Sequence, residues 1–338
     1  MLEDQLDQAA LQRYLSLHVP QVGELQQLEK FSDGQSNPTY LLTTTSGQFV
    51  LRRQPPGELL KSAHAVDREF RVIHALRDSR VPVARALHLC EDRGVIGSMF
   101  YLMSYEPGRI FWDPCLPELD KAERGEVYRE MNRVLAALHD IDVEAVGLGD
   151  FGRPGSYFER QVSRWSRQYR ASEIEPIPAM DRLIEWLPQN LPDDDGMVSL
   201  IHGDFRIDNI VFDATRPRAR ALLDWELSTL GHPYADLAYQ CMQWRMDRDC
   251  VIPGLGDSDR PALGIPSEQD YVAEYCQRRG LAAIPDWNFY LVFGFFRFAA
   301  ILQGVLKRAV DGNASSSKAY DYGALAPVLA RQALELID

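Results

Sequence analysis

The spacing of apolar and polar positions divides the chain into two regions of different period. Residues 1–17 space their apolar side chains as a short amphipathic helix. From Leu28 the period shortens. One strand-like run ends at Phe31, Thr39–Thr44 forms a second and Gly47–Arg53 a third. Thr, Tyr, Phe and Val enrich these runs, and Ser46-Gly47 supplies the turn of an antiparallel hairpin. Pro55-Pro56-Gly57 breaks the pattern. A helix is predicted over about 63–78, with Val66, Phe70, Ile73, His74 and Leu76 near one side. Ala86–Cys90 and 98–104 read as two more strands. Glu106-Pro107-Gly108 is a turn signal. Beyond it the period is mostly helical, over 120–140, 160–170, 180–187 and again towards the C-terminus. A β island interrupts it at 198–201, Ile210–Phe212 and 221–223. No internal repeat is visible, and only 313–317 is locally loop-like. The expected fold class is α+β, with a small antiparallel β lobe over 1–105 and a larger, mainly helical lobe over 106–338. A cleft between two such lobes is the natural place for a ligand.

Composition narrows the function classes. With 46% apolar and 25% charged residues the chain has enough apolar side chains to build cores, which excludes disorder as its main theme. Five cysteines in 338 residues, with no CxxC pair, exclude a disulfide scaffold and point to reduced thiols in a cytoplasm. The balance of 36 basic to 49 acidic residues, net −13, argues against nucleic acid as a partner. Glu3, Asp4 and Asp7 leave the first residues without the apolar core of a signal peptide. The most apolar stretch, 289–306, contains Arg297 and Gln303, so a buried core helix is expected there and no membrane partner.

The chemistry concentrates in His202-Gly-Asp-Phe-Arg-Ile-Asp-Asn209 and Leu223-Asp-Trp-Glu226. Short apolar runs bracket both, which places Asp204, Asn209 and Asp224 on loops at strand ends. Asp224 and Asn209 are hard oxygen donors of the kind that hold Mg²⁺ together with waters and phosphate oxygens. Asp204 is a carboxylate suited to orient and deprotonate a hydroxyl. The order H-x-D-x-x-x-x-N, followed by an Asp after a strand, is the kinase arrangement. In the small lobe, the turn from Phe31 to Tyr40, which includes Gly34 and Ser36, offers backbone N–H groups for phosphates. Arg52 ends the next strand, and Glu69 lies in the following helix as its candidate ion-pair partner.

These residues resemble the aminoglycoside phosphotransferase family, a branch of the protein-kinase-like two-lobe fold, over most of the chain. Three segments are similar to the kinase-like domains fused to some acyl-CoA dehydrogenases and to their standalone bacterial relatives. They are Phe49-Val-Leu-Arg-Arg-Gln-Pro-Pro-Gly57, Gly147-Leu-Gly-Asp-Phe-Gly152 and Gly231-His-Pro-Tyr-Ala-Asp-Leu-Ala238. The resemblance implies Asp204 as the catalytic residue and Asn209 and Asp224 as magnesium ligands. It implies a nucleotide site made of Arg52, Glu69, Ser36 and the hinge residues Met103, Ser104, Tyr105 and Glu106. Asp236 is implied as a structural brace. The chain departs from the family in having Arg52 where a lysine is usual, and the two side chains are not equivalent at a phosphate.

The implied activity is ATP-dependent transfer, with GTP as an alternative donor and Mg²⁺ as cofactor, to the hydroxyl of a small molecule. A hydroxyacyl or hydroxy-acid metabolite is favoured over an antibiotic. The alternatives are a catalytically silent nucleotide-binding module and a true aminoglycoside 3'-type kinase. No Ala-Pro-Glu follows Asp224, which disfavours a protein kinase. Nothing in the sequence sets an oligomeric state. His139 and His202 lack zinc spacing and read as packing groups, His202 as a brace for its loop. Cys115, Cys241 and Cys250 have no obvious activating base nearby. Trp165, Tyr169, Tyr239, Met242 and Trp244 read as core, with an acceptor pocket as the rival. Arg109, Arg160, Arg164 and Arg297 are candidates for an anionic group on the acceptor, with structural ion pairs as the rival.

Overall fold

The computed structural model describes residues 6–31, 37–55, 64–312 and 318–337. It forms two compact units. One runs to Arg109 and takes in Val211–Ala214 and Arg220–Leu227; the other holds Ile110–Ile210, Thr215–Ala219 and the chain from Ser228 onward. Ser36 and 313–317 lie outside the described residues.

The first unit begins with α1 (Gln8–His18), β1 (Leu25–Lys30), β2 (Thr39–Thr44), β3 (Gly47–Arg53), α2 (Val66–Leu76), β4 (Ala86–Cys90) and β5 (Phe100–Ser104). The five strands form one antiparallel sheet in the order β1-β2-β3-β5-β4. Thr44 already pairs with Gly47, so the hairpin turn is Thr45-Ser46, one position earlier than its composition implies. Alternation along each strand separates two faces. Tyr40, Leu42, Leu51, Phe100 and Leu102 enter a core closed by Leu11 and Leu15 of α1. The intervening residues Arg52 and Tyr101 are direct cross-strand partners.

Helix α2 differs from the expected pattern. Its buried residues are Val66, Glu69, Val72, Ile73 and Leu76, while Phe70 is half-buried and His74 exposed. The helix therefore carries an acid on its buried stripe, a cost unless that acid is paired.

The second unit is mainly helical. After α3 (Lys121–His139), α4 (Tyr157–Ser172) and α5 (Pro178–Gln189) come the short strands β6 (Ser199–Ile201), β7 (Ile210–Phe212), β8 (Ala219–Leu222) and β9 (Thr229–Gly231), of which β7 and β8 lie mostly in the segments that belong to the first unit. They are followed by α6 (Tyr234–Cys241), α7 (Arg260–Leu263), α8 (Glu268–Arg279), α9 (Trp287–Val310), α10 (Ala319–Gly323) and α11 (Ala326–Leu334). β6 pairs antiparallel with β9, and β7 with β8. At three residues β9 is too short to carry a period of its own, and the hydrophobic pattern does not anticipate it. Helix α9 is long and apolar enough to cross a membrane, but 78% of that apolar window is buried inside the protein. It packs against α4, α6, α10 and α11 as the central core helix.

Two backbone hydrogen bonds of 2.8 Å, Arg109 N–H to the Phe212 carbonyl and Phe212 N–H to the Arg109 carbonyl, tie the segment 211–214 into the first unit. The chain at Gly108 passes so close that a Cβ there falls on the Phe212 carbonyl oxygen. Gly108→Ala is therefore expected to lower stability by about 1–3 kcal/mol, the usual cost of overpacking against a fixed group. Urea unfolding measures this, and an unchanged midpoint means that the Phe212 segment yields freely.

Candidate active site

In the first unit the buried acid of α2 is the centre of a polar network. The Glu69 carboxylate accepts from Asn37 Nδ2 at 2.7 Å and from the Tyr101 hydroxyl at 3.1 Å. Its Oε2 lies 2.7 Å from Arg52 Nε. The His64 ring lies 3.0 Å from Asn37 Oδ1 and extends the chain of contacts. Arg52 reaches onward: its Nη2 donates to Asp224 Oδ1 at 2.6 Å and lies 3.7 Å from Glu226. Burial works against the guanidinium's proton, but Glu69, Asp224 and Glu226 outweigh it and hold Arg52 charged. Burial pushes the Glu69 carboxyl up, and Arg52 with the two donors pulls it part of the way back. Asp224 belongs to this unit because its strand does. Leu222 N–H donates to the Pro82 carbonyl, and the turn over Trp225–Leu227 packs on α2.

In the second unit the loop after β6 is fixed from several sides. Asp236, buried on α6, accepts from His202 N–H at 2.6 Å and Gly203 N–H at 2.8 Å. Gly203 has φ +84°, a left-handed conformation that glycine adopts without a Cβ penalty. Its carbonyl accepts from Arg297 Nη2 at 2.6 Å. Arg297 is itself held between the rings of Trp165 and Tyr239, at 5.5 and 5.2 Å. The His202 ring accepts from Asp204 N–H at 3.2 Å, which braces the loop as expected of this histidine.

Asp204 is about one-fifth exposed, with Arg206 Nε 3.5 Å away. Burial pushes its carboxyl up, but Arg206, the Tyr239 hydroxyl bond, His202 and Arg297 together hold it below the usual carboxylate range. Asn209 Nδ2 donates to the Asp204 carbonyl at 2.8 Å and to its Oδ2 at 3.1 Å. The sequence-derived residues thus fall into two groups. Arg52 touches both Glu69 and Asp224 in the first unit, and Asp204 and Asn209 touch in the second.

A family model for the phosphotransferase enzyme family, APH, matches residues 27–284. The chain belongs to this family. Mouse acyl-CoA dehydrogenase family member 10 is 47% identical over 331 residues, covering 97% of this chain and 31% of that protein. Chicken acyl-CoA dehydrogenase family member 11 is 43% identical over 341 residues, covering 99% of this chain and 44% of that protein. The chain thus spans less than half the length of these curated relatives. A crystal structure from Ralstonia eutropha JMP134, provisionally named an aminoglycoside phosphotransferase, is 48% identical with a TM-score of 0.89 and 98% of each chain covered. The aminoglycoside phosphotransferase APH(4)-Ia, solved with ADP and hygromycin B, aligns with a TM-score of 0.64 at 15% identity, over 97% of this chain and 98% of that one. At that identity it supports the fold alone, the kinase-like α+β fold expected from the sequence. The family is one of phosphotransferase enzymes, the class that the motif order implies.

Met103 and Ser104 close β5, and Tyr105 and Glu106 follow it. Ser104 Oγ donates to Glu106 Oε1 at 2.7 Å and accepts from Arg85 N–H at 2.8 Å. Arg220 pairs with Glu106 at 3.3 Å.

Several side candidates resolve as structure. Trp165, Tyr169, Tyr239, Met242 and Trp244 are all buried. Arg297 grips a loop carbonyl, Arg109 Nε donates to the Asp213 carbonyl, and Arg160 donates to the Arg153 and Pro154 carbonyls. Arg164 lies over the Trp165 ring. Burial pushes the Cys241 and Cys250 thiols up, the opposite of activation. Sequence reasoning missed Tyr239 as a partner of Asp204. The signal available was its place three residues after Asp236 on one helix, which puts both on the same face.

Two outcomes follow for the brace. Asp236→Ala orphans two buried N–H groups, each worth about 1–3 kcal/mol, so unfolding in denaturant is expected to show a loss of about 2–6 kcal/mol. A smaller loss means that water replaces the carboxylate. Burial also lowers the proton affinity of His139, despite Asp236 3.4 Å away. The unfolded chain takes up that proton near about pH 6.5 while the folded one does not. Stability is then full above that pH and falls as pH drops below it. Melting curves from about pH 7.5 to about pH 5 should slope less for His139→Gln than for the wild type. Part of the slope remains through His232, which burial also holds low. Equal slopes assign the whole loss elsewhere.

Proposed function

We propose that this chain transfers the γ-phosphate of ATP to the hydroxyl of a small metabolite, a hydroxyacyl or hydroxy-acid compound rather than an antibiotic. The observation that carries the reading is the environment of Asp204. It is a partly exposed carboxylate kept ionised by surrounding donors, on a loop anchored by Asp236 and Arg297.

In this reading Asp204 orients the acceptor hydroxyl and takes its proton as the oxygen attacks phosphorus. The new bond is acceptor oxygen to γ-phosphorus. The broken bond is γ-phosphorus to the bridging oxygen, which leaves with ADP. Arg52, kept in orientation by Glu69, meets the α- and β-phosphates. Ser36 and the turn around it contribute to the phosphate cradle, and the backbone over Met103, Ser104, Tyr105 and Glu106 meets the base. Asn209 and Asp224 fit Mg²⁺ by donor chemistry. Both offer hard oxygens, and the bonds from Asn209 Nδ2 to Asp204 fix the amide so that its oxygen points away. When bound, the metal supplies neutralisation of charge developing on the phosphate oxygens. The chain's own contribution is positioning and a preorganised field.

The acceptor class draws on the similarity to acyl-CoA dehydrogenase family members 10 and 11 across nearly the whole chain. All five cysteines are free thiols, which supports a reducing compartment such as the cytoplasm.

Thermal stability with Mg-ATP, Mg-GTP or neither tests the nucleotide site. A ligand at one hundred times its Kd adds about 2.7 kcal/mol. Asp224→Ala is expected to lose the metal-dependent part of that gain. Asp204→Asn is expected to keep it and to abolish phosphate transfer to hydroxylated acyl compounds. No shift with either nucleotide refutes the kinase reading, and a shift without transfer to any acceptor is the behaviour of a silent nucleotide-binding module. Transfer to aminoglycosides in preference to hydroxy acids refutes the acceptor class alone.

A further inference from the structure

The Arg52 guanidinium sits among three carboxylates of its own unit. Nε faces Glu69 at 2.7 Å, Nη2 faces Asp224 at 2.6 Å, and Glu226 lies 3.7 Å from the same Nη2. A lysine ammonium is a single point of positive charge, whereas guanidinium presents its donors in a rigid planar fork. The fork is what lets one side chain face the helix acid and Asp224 through different nitrogens. The Arg52 side chain is 13% exposed and that of Asp224 33%, so the contact is screened less than a surface pair.

Asp224 also has φ +61°, in the left-handed region. A residue with a Cβ adopts that conformation when its surroundings hold it there. The charge-assisted contact with Arg52 is such a hold.

We propose that Arg52 latches Asp224. In the nucleotide-free protein it occupies a carboxylate oxygen that metal and nucleotide must win from it, so arginine at this position sets a weaker Mg-nucleotide affinity than lysine would. The proposal rests on the reading of Asp224 as a magnesium ligand. Apparent affinity falls with the fraction of molecules in which the competent arrangement is not populated. A lysine here pairs with Glu69 and leaves Asp224 open. The latch acts on the metal-dependent part of binding alone; any change in the phosphate contact itself bears on nucleotide with and without metal alike.

Calorimetric titration of the full chain with ATP, in Mg²⁺ and in chelator, decides this for wild type and Arg52→Lys. The expected result is a ratio of Mg-ATP to metal-free ATP affinity about fivefold or more higher in the variant than in the wild type, the low end of usual coupling, whatever the exchange does to both affinities through the phosphate contact. An equal or lower ratio in a folded variant overturns the latch. So does an equal gain with and without metal, which is a plain phosphate effect.

Circular dichroism reports folding. If Arg52→Lys does not fold, Arg52→Gln, which keeps a neutral donor towards Glu69, is titrated with Mn²⁺ alone. Tighter Mn²⁺ binding than in the wild type supports the latch, and equal or weaker binding overturns it. If wild type and variants bind no nucleotide with or without metal, the kinase reading fails, while the Mn²⁺ titration still decides the latch.

Discussion

A carboxylate buried without a cation is the constraint on which the second unit's loop depends. Asp236 lies in the core, and the histidine facing it is held neutral by burial. Its charge is met by the backbone N–H groups of His202 and Gly203 and by a hydrogen bond with the His139 ring. An uncompensated charge in that position is expensive, so the loop backbone has little freedom to turn those groups elsewhere. The position of Asp204 follows from theirs, one residue on. Arg297 then fixes the Gly203 carbonyl from α9, and Tyr239 holds Asp204 from the helix that carries Asp236. Helix α6 thus grips both the backbone and the side chain of the loop.

The first unit solves a different problem with the same economy. A buried acid on α2 is tolerable because three side chains answer it: Asn37, Tyr101 and Arg52. Sheet register makes this possible, since Arg52 and Tyr101 are opposite one another across β3 and β5. One cross-strand pair therefore serves both packing and electrostatics. Glu226 adds a third carboxylate near Arg52, so the cation is outnumbered by its neighbours.

Much of this was legible in the sequence, and the limits have physical causes. The strands Thr39–Thr44 and Gly47–Arg53 show in β-branched and aromatic enrichment and Ala86–Cys90 as a short apolar run, and the bounds of all three agree with the structure. The motif around Asp204 and Asn209 shows because its residues are close in sequence. What period alone misplaces is α2, where an acid rather than Phe70 or His74 faces inward. A helix wheel scores hydrophobicity, and Glu69 is buried because of partners 32 residues away in either direction. Arg297 and Tyr239 were hidden for the same reason. The contact of Arg297 depends on how α9 packs, and that of Tyr239 shows only once Asp236, three residues earlier on α6, is known to face the loop. Residues 220–227 fall with the sheet unit, although the chain has by then been helical for a hundred residues. A linear division at 105 has no means of expressing that excursion.

Helix α9 also bears on how the protein is made. Its packing partners α4 and α6 precede it in the chain, and α11 follows it. During synthesis the apolar faces of α4 and α6 emerge well before the helix that covers them. The second unit therefore passes through a stage in which its largest core surface is open to solvent and to other chains. Chaperone engagement belongs to that interval, and so does the hazard of aggregation. Arg297, placed midway along α9, reaches Gly203 only when the helix docks, so the loop bearing Asp204 gains its last anchor among the final events of folding.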